Sequence, residues 1–170
     1  TAWLKAHFPA PFMAAVLSGM MDDTDRIAFT VGESKKSGLI VDTPNICQSE
    51  YEFSITDNKT IIYGLGAIKG VGESLVRAIV LEREKNGSYD DIFDFCLRLE
   101  KKYLNRRAVE ALIYSGAFDV FSVNRATLIA TYPRAIKQAE QRQNDFLKGQ
   151  VSLFSEVESH IEYEKKYIKG

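Results

Sequence analysis

Hydrophobic positions at the start of the chain recur at helical spacing. Trp3, Leu4, Phe8, Phe12, Met13, Val16 and Leu17 fall mostly three or four apart, the repeat that gathers side chains on one helix face. Pro9 and Pro11 interrupt the run. Proline lacks the amide N–H a helix interior requires, so two short helices with a break and a restart are expected, and the aromatic stripe reads as core. Asp22-Asp23-Thr24-Asp25 then precedes Ile27 and Phe29. Such a cluster can resemble a metal site, but it fits an N-cap and acidic first turn of a third helix better. A loop is expected through Gly38 to Pro44. The period next shortens to two in Tyr51-Glu52-Phe53-Ser54-Ile55, followed by the turn residues Asp57-Asn58-Lys59 and the β-branched and aromatic run Thr60-Ile61-Ile62-Tyr63, which predicts a small β-hairpin.

The pattern returns to helical spacing around a glycine cluster. Leu65 and Ile68 stand before Lys69-Gly70-Val71-Gly72, and Val76, Ile79 and Val80 follow it, which predicts two short helices packed across a tight hairpin. Without a Cβ, Gly70 and Gly72 can take positive φ and let their amides approach an anion, while Val71 turns inward. A helix from about Glu73 adds unpaired amides and the positive end of its dipole. Lys69 favours an anion there and Glu73 opposes one. This is the pattern of a helix-hairpin-helix DNA-binding motif, although an ordinary interhelical turn would carry the same glycines. A P-loop is disfavoured, because no Gly-Lys-Ser or Gly-Lys-Thr follows Gly72.

Beyond a helix ending near Asn86-Gly87, the periodicity predicts helices over Ile92 to Leu97 and Leu104 to Ile113. Between them lies the densest basic cluster, Lys101-Lys102-Tyr103-Leu104-Asn105-Arg106-Arg107; a solvated helix start and a phosphate clamp fit it equally. Ser115-Gly116-Ala117-Phe118-Asp119 and Asn124-Arg125-Ala126-Thr127 look like a worn copy of the first hairpin, with Phe118 in the place of the second glycine. Arg125 is a candidate phosphate ligand there. From Gln138 to Lys148 the chain turns polar, as a fraying helix or linker would. Gln150-Val151-Ser152-Leu153-Phe154 then offers two large apolar side chains. Burying each is worth about 1.5 to 3 kcal/mol before ordering costs, enough to anchor a peptide in a partner's groove or to fold it back on its own core.

Composition narrows the partners. The 170 residues carry 22 basic and 23 acidic side chains and a formal charge of −1, so nucleic acid would have to be held by a local patch rather than by bulk charge. Cys47 and Cys96 are far apart and match no zinc spacing, and read as buried thiols in a reducing compartment. No apolar run reaches the about 18 residues of a membrane span, so a cytoplasmic protein is expected. The opening on what reads as the middle of an amphipathic helix is expected of a piece of a larger chain. His7 and His160 are solitary, and no paired carboxylates or nucleophile-base set stands out, so no catalytic or metal-ligating residues are assigned.

Several motifs in order carry a family resemblance. Trp3-Leu4-Lys5-Ala6-His7 with Phe12-Met13-Ala14-Ala15, the glycine segment Gly64 to Ile79, Ile92-Phe93-Asp94-Phe95-Cys96, Leu104-Asn105-Arg106-Arg107 and Ser115-Gly116-Ala117-Phe118-Asp119 resemble the bacterial replicative DNA polymerase III alpha subunits of the C-family. Gln150, Ser152, Leu153 and Phe154 resemble the pentapeptide with which bacterial replication proteins dock on the sliding clamp. The resemblance runs from Thr1 to about Phe154, with the proline-rich stretch before the hairpin reduced to Thr43-Pro44-Asn45.

The resemblance implies a mainly α fold with a small β-hairpin: a helical end of the fingers region over residues 1–48, a β-hairpin plus tandem helix-hairpin-helix domain over 49–137, and a polar helix or linker carrying the clamp peptide over 138–170. It implies a non-catalytic piece of a DNA-directed DNA polymerase, whose catalytic carboxylates and Mg2+ belong to a palm domain outside this chain, so no cofactor is expected here. Duplex DNA backbone, the clamp's beta subunit and other holoenzyme subunits are the implied partners. The expected DNA contacts are Lys69, Gly70, Val71, Gly72, Arg106, Arg107 and Arg125, and the expected clamp contacts Gln150, Ser152, Leu153 and Phe154. The alternative is a pure clamp-docking module whose hairpins are structural.

Overall fold

The computed structural model describes residues 2–167, with side chains up to residue 149. It is mainly helical, as expected. The element order is α1 (Ala2–His7), α2 (Pro9–Ser18), α3 (Thr24–Lys36), β1 (Ile40–Asp42), β2 (Ser54–Ile55), β3 (Thr60–Ile62), α4 (Glu73–Asn86), α5 (Ile92–Arg98), α6 (Arg106–Ser115) and α7 (Arg125–Tyr167), with short 3-10 turns at Leu65–Ala67, Lys101–Tyr103 and Asp119–Phe121.

Local chemistry explains the boundaries. Proline at its start opens α2, where a missing N–H costs nothing. Asp23 caps α3 by accepting from the Arg26 amide at 3.0 Å, so the acidic cluster is a helix start. Asp91 and Asn105 cap α5 and α6 in the same way. Gly87 and Gly116 follow α4 and α6 with φ of 83° and 90°, positive values that a side chain would resist, and Gly116 is a left-handed helix stop.

The sheet departs from the expectation in one respect. β2 and β3 form the predicted antiparallel hairpin, its turn fixed by Asp57 accepting from the amides of Lys59 and Thr60. Part of the expected Gly38–Pro44 loop, however, is β1, which pairs in parallel with β3 through Ile40↔Thr60, Val41↔Ile61 and Asp42↔Ile62. Three residues with only Val41 buried give no readable alternation; partner strand β3, distant in sequence, makes this a strand.

Two cores result. One joins α2, α3 and the sheet through Ala10, Ala14, Leu17, Ile27, Val41, Phe53 and Ile61. The other joins α4 to α7 around Val76, Ile79, Phe95, Leu112, Phe118 and Leu128. The β-hairpin therefore packs with the N-terminal helices, and Tyr63 touches both cores. The opening aromatic stripe is mostly not core: Leu17 is buried, but Trp3 is 62% exposed and Leu4 and Phe8 are exposed too. Helix α1 has no buried residue. Its spacing was that of an amphipathic helix, but nothing in the described residues covers its apolar face.

Two arginines bind the second core together. Arg83 donates to the carbonyls of Ile46 and Ser49 and pairs with Glu50. Arg98 pairs with Glu82 and Asp94 and lies 4.4 Å over the Tyr89 ring. Helix α7 runs without a break through Pro133 and past Gln138. Ala139 is buried and Glu140 pairs with Lys101 at 2.9 Å, so the polar stretch starts as packed helix. Cys96 is buried, which pushes its thiol up to about 12; Cys47 is only half-buried, a departure from the expected pair of buried thiols.

Candidate nucleic-acid interface

The first glycine hairpin is built from packing outward. Val71 is buried in the second core, and its amide donates to the Ile68 carbonyl at 3.0 Å. Anchoring Val71 forces the chain to reverse at Gly70, whose φ is 97°, a conformation that favours glycine. The expectation for Gly72 was the same, and the structure corrects it. Gly72 sits at φ −85° and ψ 153° as the N-cap of α4, extended backbone open to any residue. The helix expected before the hairpin is a single 3-10 turn, Leu65–Ala67.

What distinguishes this hairpin is its unused donors. The α4 start has no side-chain cap; α2 lacks one too but opens on proline, whereas α3, α5, α6 and α7 have theirs from Asp23, Asp91, Asn105 and Asn124. The amides of Gly70, Gly72, Glu73 and Ser74 donate to no acceptor among the described residues. Gly72 has open space where a Cβ would stand. An uncapped, exposed helix start with adjacent free amides is an anion site in the making. Glu73 is drawn off toward Arg77 at 2.7 Å.

Cations come from a second element. A Cβ on Gly70 would lie 3.6 Å from Arg107 Nε and 3.7 Å from the Ala111 methyl, so the α6 start is packed against the hairpin. Lys69, Arg106, Arg107, Glu110, Ala111 and Tyr114 line one shallow cleft. The basic cluster is thus divided. Lys101 and Lys102 pair with Glu140 and Glu100, while Arg106 and Arg107 face the hairpin beside Lys69. Lys69 and Arg107 make no ion pair among the described residues; Arg106 pairs with Glu110 at 2.8 Å. Sequence reasoning missed Glu110, Tyr114 and Tyr132 here. The Arg106–Glu110 separation of one helical turn was readable, whereas Tyr132 reaches Glu110 only through the packing of α7 on α6.

The second hairpin keeps the turn but not the uncapped helix start, since Asn124 caps α7. Gly116 repeats the positive φ and Ala117 the buried apolar position. Phe118, in the place of Gly72, is fully buried, with its ring 5.0 Å from Phe95 and 5.7 Å from Phe121. The chain needs a further 3-10 turn, Asp119–Phe121, before α7 begins. Arg125 is occupied. It donates to Asp119 Oδ1 at 3.0 Å and to the Tyr114 carbonyl at 2.9 Å, and the ion pair lowers the Asp119 carboxyl. The structure gives Arg125 the role of holding this hairpin closed, apart from the Lys69 cluster. The backbone of Gln150, Ser152, Leu153 and Phe154 falls within α7, and their side chains lie outside the described residues.

Hairpin, buried apolar residue, uncapped helix and flanking cations define a helix-hairpin-helix module, and the chain belongs to the helix-hairpin-helix motif family, whose pattern matches residues 38–128. Along nearly its whole length it is similar to DNA polymerase III alpha subunits. It is 44% identical over 168 residues to DNA polymerase III subunit alpha of Pasteurella multocida, covering 98% of this chain and 14% of that protein. The subunit of Xylella fastidiosa is 48% identical over 158 residues, 93% of this chain and 13% of that protein. That of Escherichia coli is 44% identical over 154 residues, 91% of this chain and 13% of that protein. The chain therefore spans about one seventh of the length of the curated relatives it matches.

Proposed function

We propose that this chain is the part of a bacterial replicative DNA polymerase that grips duplex DNA through its phosphates and ties the enzyme to the sliding clamp. The observation that carries the first half is the meeting of the free amides around Gly70 and Gly72 with Lys69 and Arg107. Amides and cations directed at phosphates read no base edge, so the contact is blind to sequence. Val71 contributes by its burial, which sets the turn.

The clamp half rests on Gln150, Ser152, Leu153 and Phe154. Each contact is weak by itself. Once the clamp encircles the same duplex, rebinding becomes intramolecular, and two weak contacts together gain about 10²-fold or more. Nucleotide incorporation belongs to the remainder of the polymerase, where Mg2+ is held in a palm domain outside this chain. Among the described residues no three His, Cys, Asp or Glu side chains gather to hold a metal, and no helix is long and apolar enough to cross a membrane. The proposed setting is the cytoplasm, within the polymerase holoenzyme.

The salt dependence of duplex affinity tests the DNA half. Two to three phosphate contacts predict a slope of about −2 to −3 in log affinity against log salt, equal for unrelated sequences. A module that only docks on protein would show no such slope. For the tether, calorimetry against a bacterial sliding clamp is expected to show binding by the native chain and none by Leu153→Ala with Phe154→Ala; binding undiminished in the double variant would remove the peptide from the interface.

A further inference from the structure

Glu110 stands inside this cleft and carries the wrong sign for a phosphate site. One oxygen of its carboxylate accepts from Arg106 Nε at 2.8 Å and from the Tyr132 hydroxyl at 3.0 Å. Those two donors hold its carboxyl below the usual range, Arg106 contributing most, so it stays charged. The pair is asymmetric. Arg106 is 82% exposed in its side chain and Glu110 only 24%, because Tyr132 on α7 anchors the carboxylate from behind. An exposed ion pair of this kind is weak enough to exchange partners. Its orientation, cation toward the helix start, is also the less favourable one on a helix. It does little for the fold, yet it occupies one of the cations that a phosphate would need. Arg107, one residue on, has no such partner among the described residues.

We propose that Glu110 is a built-in counter-ion that holds Arg106 when no DNA is bound and yields it to a phosphate on binding. The inference rests on the reading of this cleft as the phosphate site. Every binding event is then opposed by the loss of one ion pair, which keeps the grip weak. Weakness suits a tethered module, which must let go of the duplex each time the enzyme advances while the clamp prevents escape.

The test is duplex affinity of the 170-residue chain, read by fluorescence anisotropy over a salt series, for Glu110→Gln, Arg106→Gln and the double variant. Glu110→Gln is expected to bind about fivefold tighter at low salt, with a slope close to the native one, because Arg106 meets the same phosphate in both. In the Arg106→Gln background the same change is expected to tighten binding by less than about twofold, since no cation remains to be released. The proposal is overturned if Glu110→Gln binds equally or more weakly, which would make Glu110 a positioning residue, or if it tightens binding equally in both backgrounds, which would be plain charge removal. Arg107→Glu separates the two layers. If it weakens binding while Glu110→Gln fails to strengthen it, only the counter-ion role is lost; if native binding is absent or indifferent to salt, the phosphate site falls and the proposal with it. The 15N signal of Arg106 Nε provides a readout free of mutation: duplex must shift it in the native chain, and an unchanged signal at saturation would overturn the exchange.

Discussion

Reversing Lys69 and Arg107 together, as Lys69→Glu with Arg107→Glu, is expected to weaken duplex binding about 100-fold at low salt. Two charge-assisted contacts at roughly 1.5 kcal/mol each sum to about 3 kcal/mol, and each 1.4 kcal/mol is a factor of about ten. The salt slope should flatten by about 1.8, because two fewer phosphates are neutralised. Neither side chain pairs within the described residues and both are exposed, so the melting temperature should move little. Anisotropy and thermal melting on the same samples check both parts. Arg125→Glu should behave in the opposite manner. Its guanidinium closes the second hairpin on Asp119 and Tyr114, so the variant is expected to melt earlier and to keep most of its DNA affinity. Equal loss of binding from Arg125→Glu without a change in melting would place the phosphate contact on the second hairpin instead.

Gly64→Ala is expected to damage the fold more than alanine at either glycine of the hairpin. A Cβ there would lie 2.6 Å from the Glu52 carbonyl carbon, 2.7 Å from the Tyr51 oxygen and 2.8 Å from the Phe53 nitrogen. All three are backbone atoms, which cannot rotate aside. They belong to the segment that the next residues grip, with the Leu65 amide donating to Glu50 at 2.8 Å and the Gly66 amide to Tyr51 at 2.9 Å. Overpacking of this severity costs about 3 kcal/mol or more, a fall of about 6 to 12 °C in melting temperature for a chain of this size. Since the crossing ties the sheet to the start of the glycine hairpin, the proposed duplex binding should weaken with stability. Gly72→Ala meets nothing within 4 Å and has a φ of −85°, so it should cost less than about 1 kcal/mol, the price of a poorer helix cap. A Gly64→Ala chain melting like the native one would show that the crossing can open.

These two glycines look equivalent in the sequence, and their difference marks the limit of what was legible there. Local rules reach as far as local forces. Proline at Pro9, the acidic cap at Asp23 and the terminating Gly87 and Gly116 act on backbone within a few residues, so the starts of α2, α3 and α4 and the ends of α4 and α6 were readable to within about two residues, whereas the helix expected before Gly70 is a 3-10 turn and α7 runs on through the stretch read as a fraying helix or linker. The Gly70-Val71-Gly72 turn was readable for the same reason, as was Phe118 as the misfit in the second hairpin. β1 was not, because a three-residue strand is defined by its partner β3. Nor was the exposure of Trp3, since an amphipathic face announces that it can be buried, never what buries it.

By itself, then, the sequence determined most of the helical elements, the hairpin turns, a near-neutral charge that leaves any nucleic-acid contact to a local patch, and the candidate residues for the proposed one. Tertiary packing decided which cations gather beside the first hairpin. Lys69 and Arg107 are 38 positions apart and meet because α6 lies on the hairpin closely enough to reach Gly70; Lys101, Lys102 and Arg125 carry the same charge and were drawn to Glu140, Glu100 and Asp119 instead. The reason is distance. An ion pair is made or lost over a few ångströms, and separations of that size between remote segments are set by how cores pack, which no local spacing records.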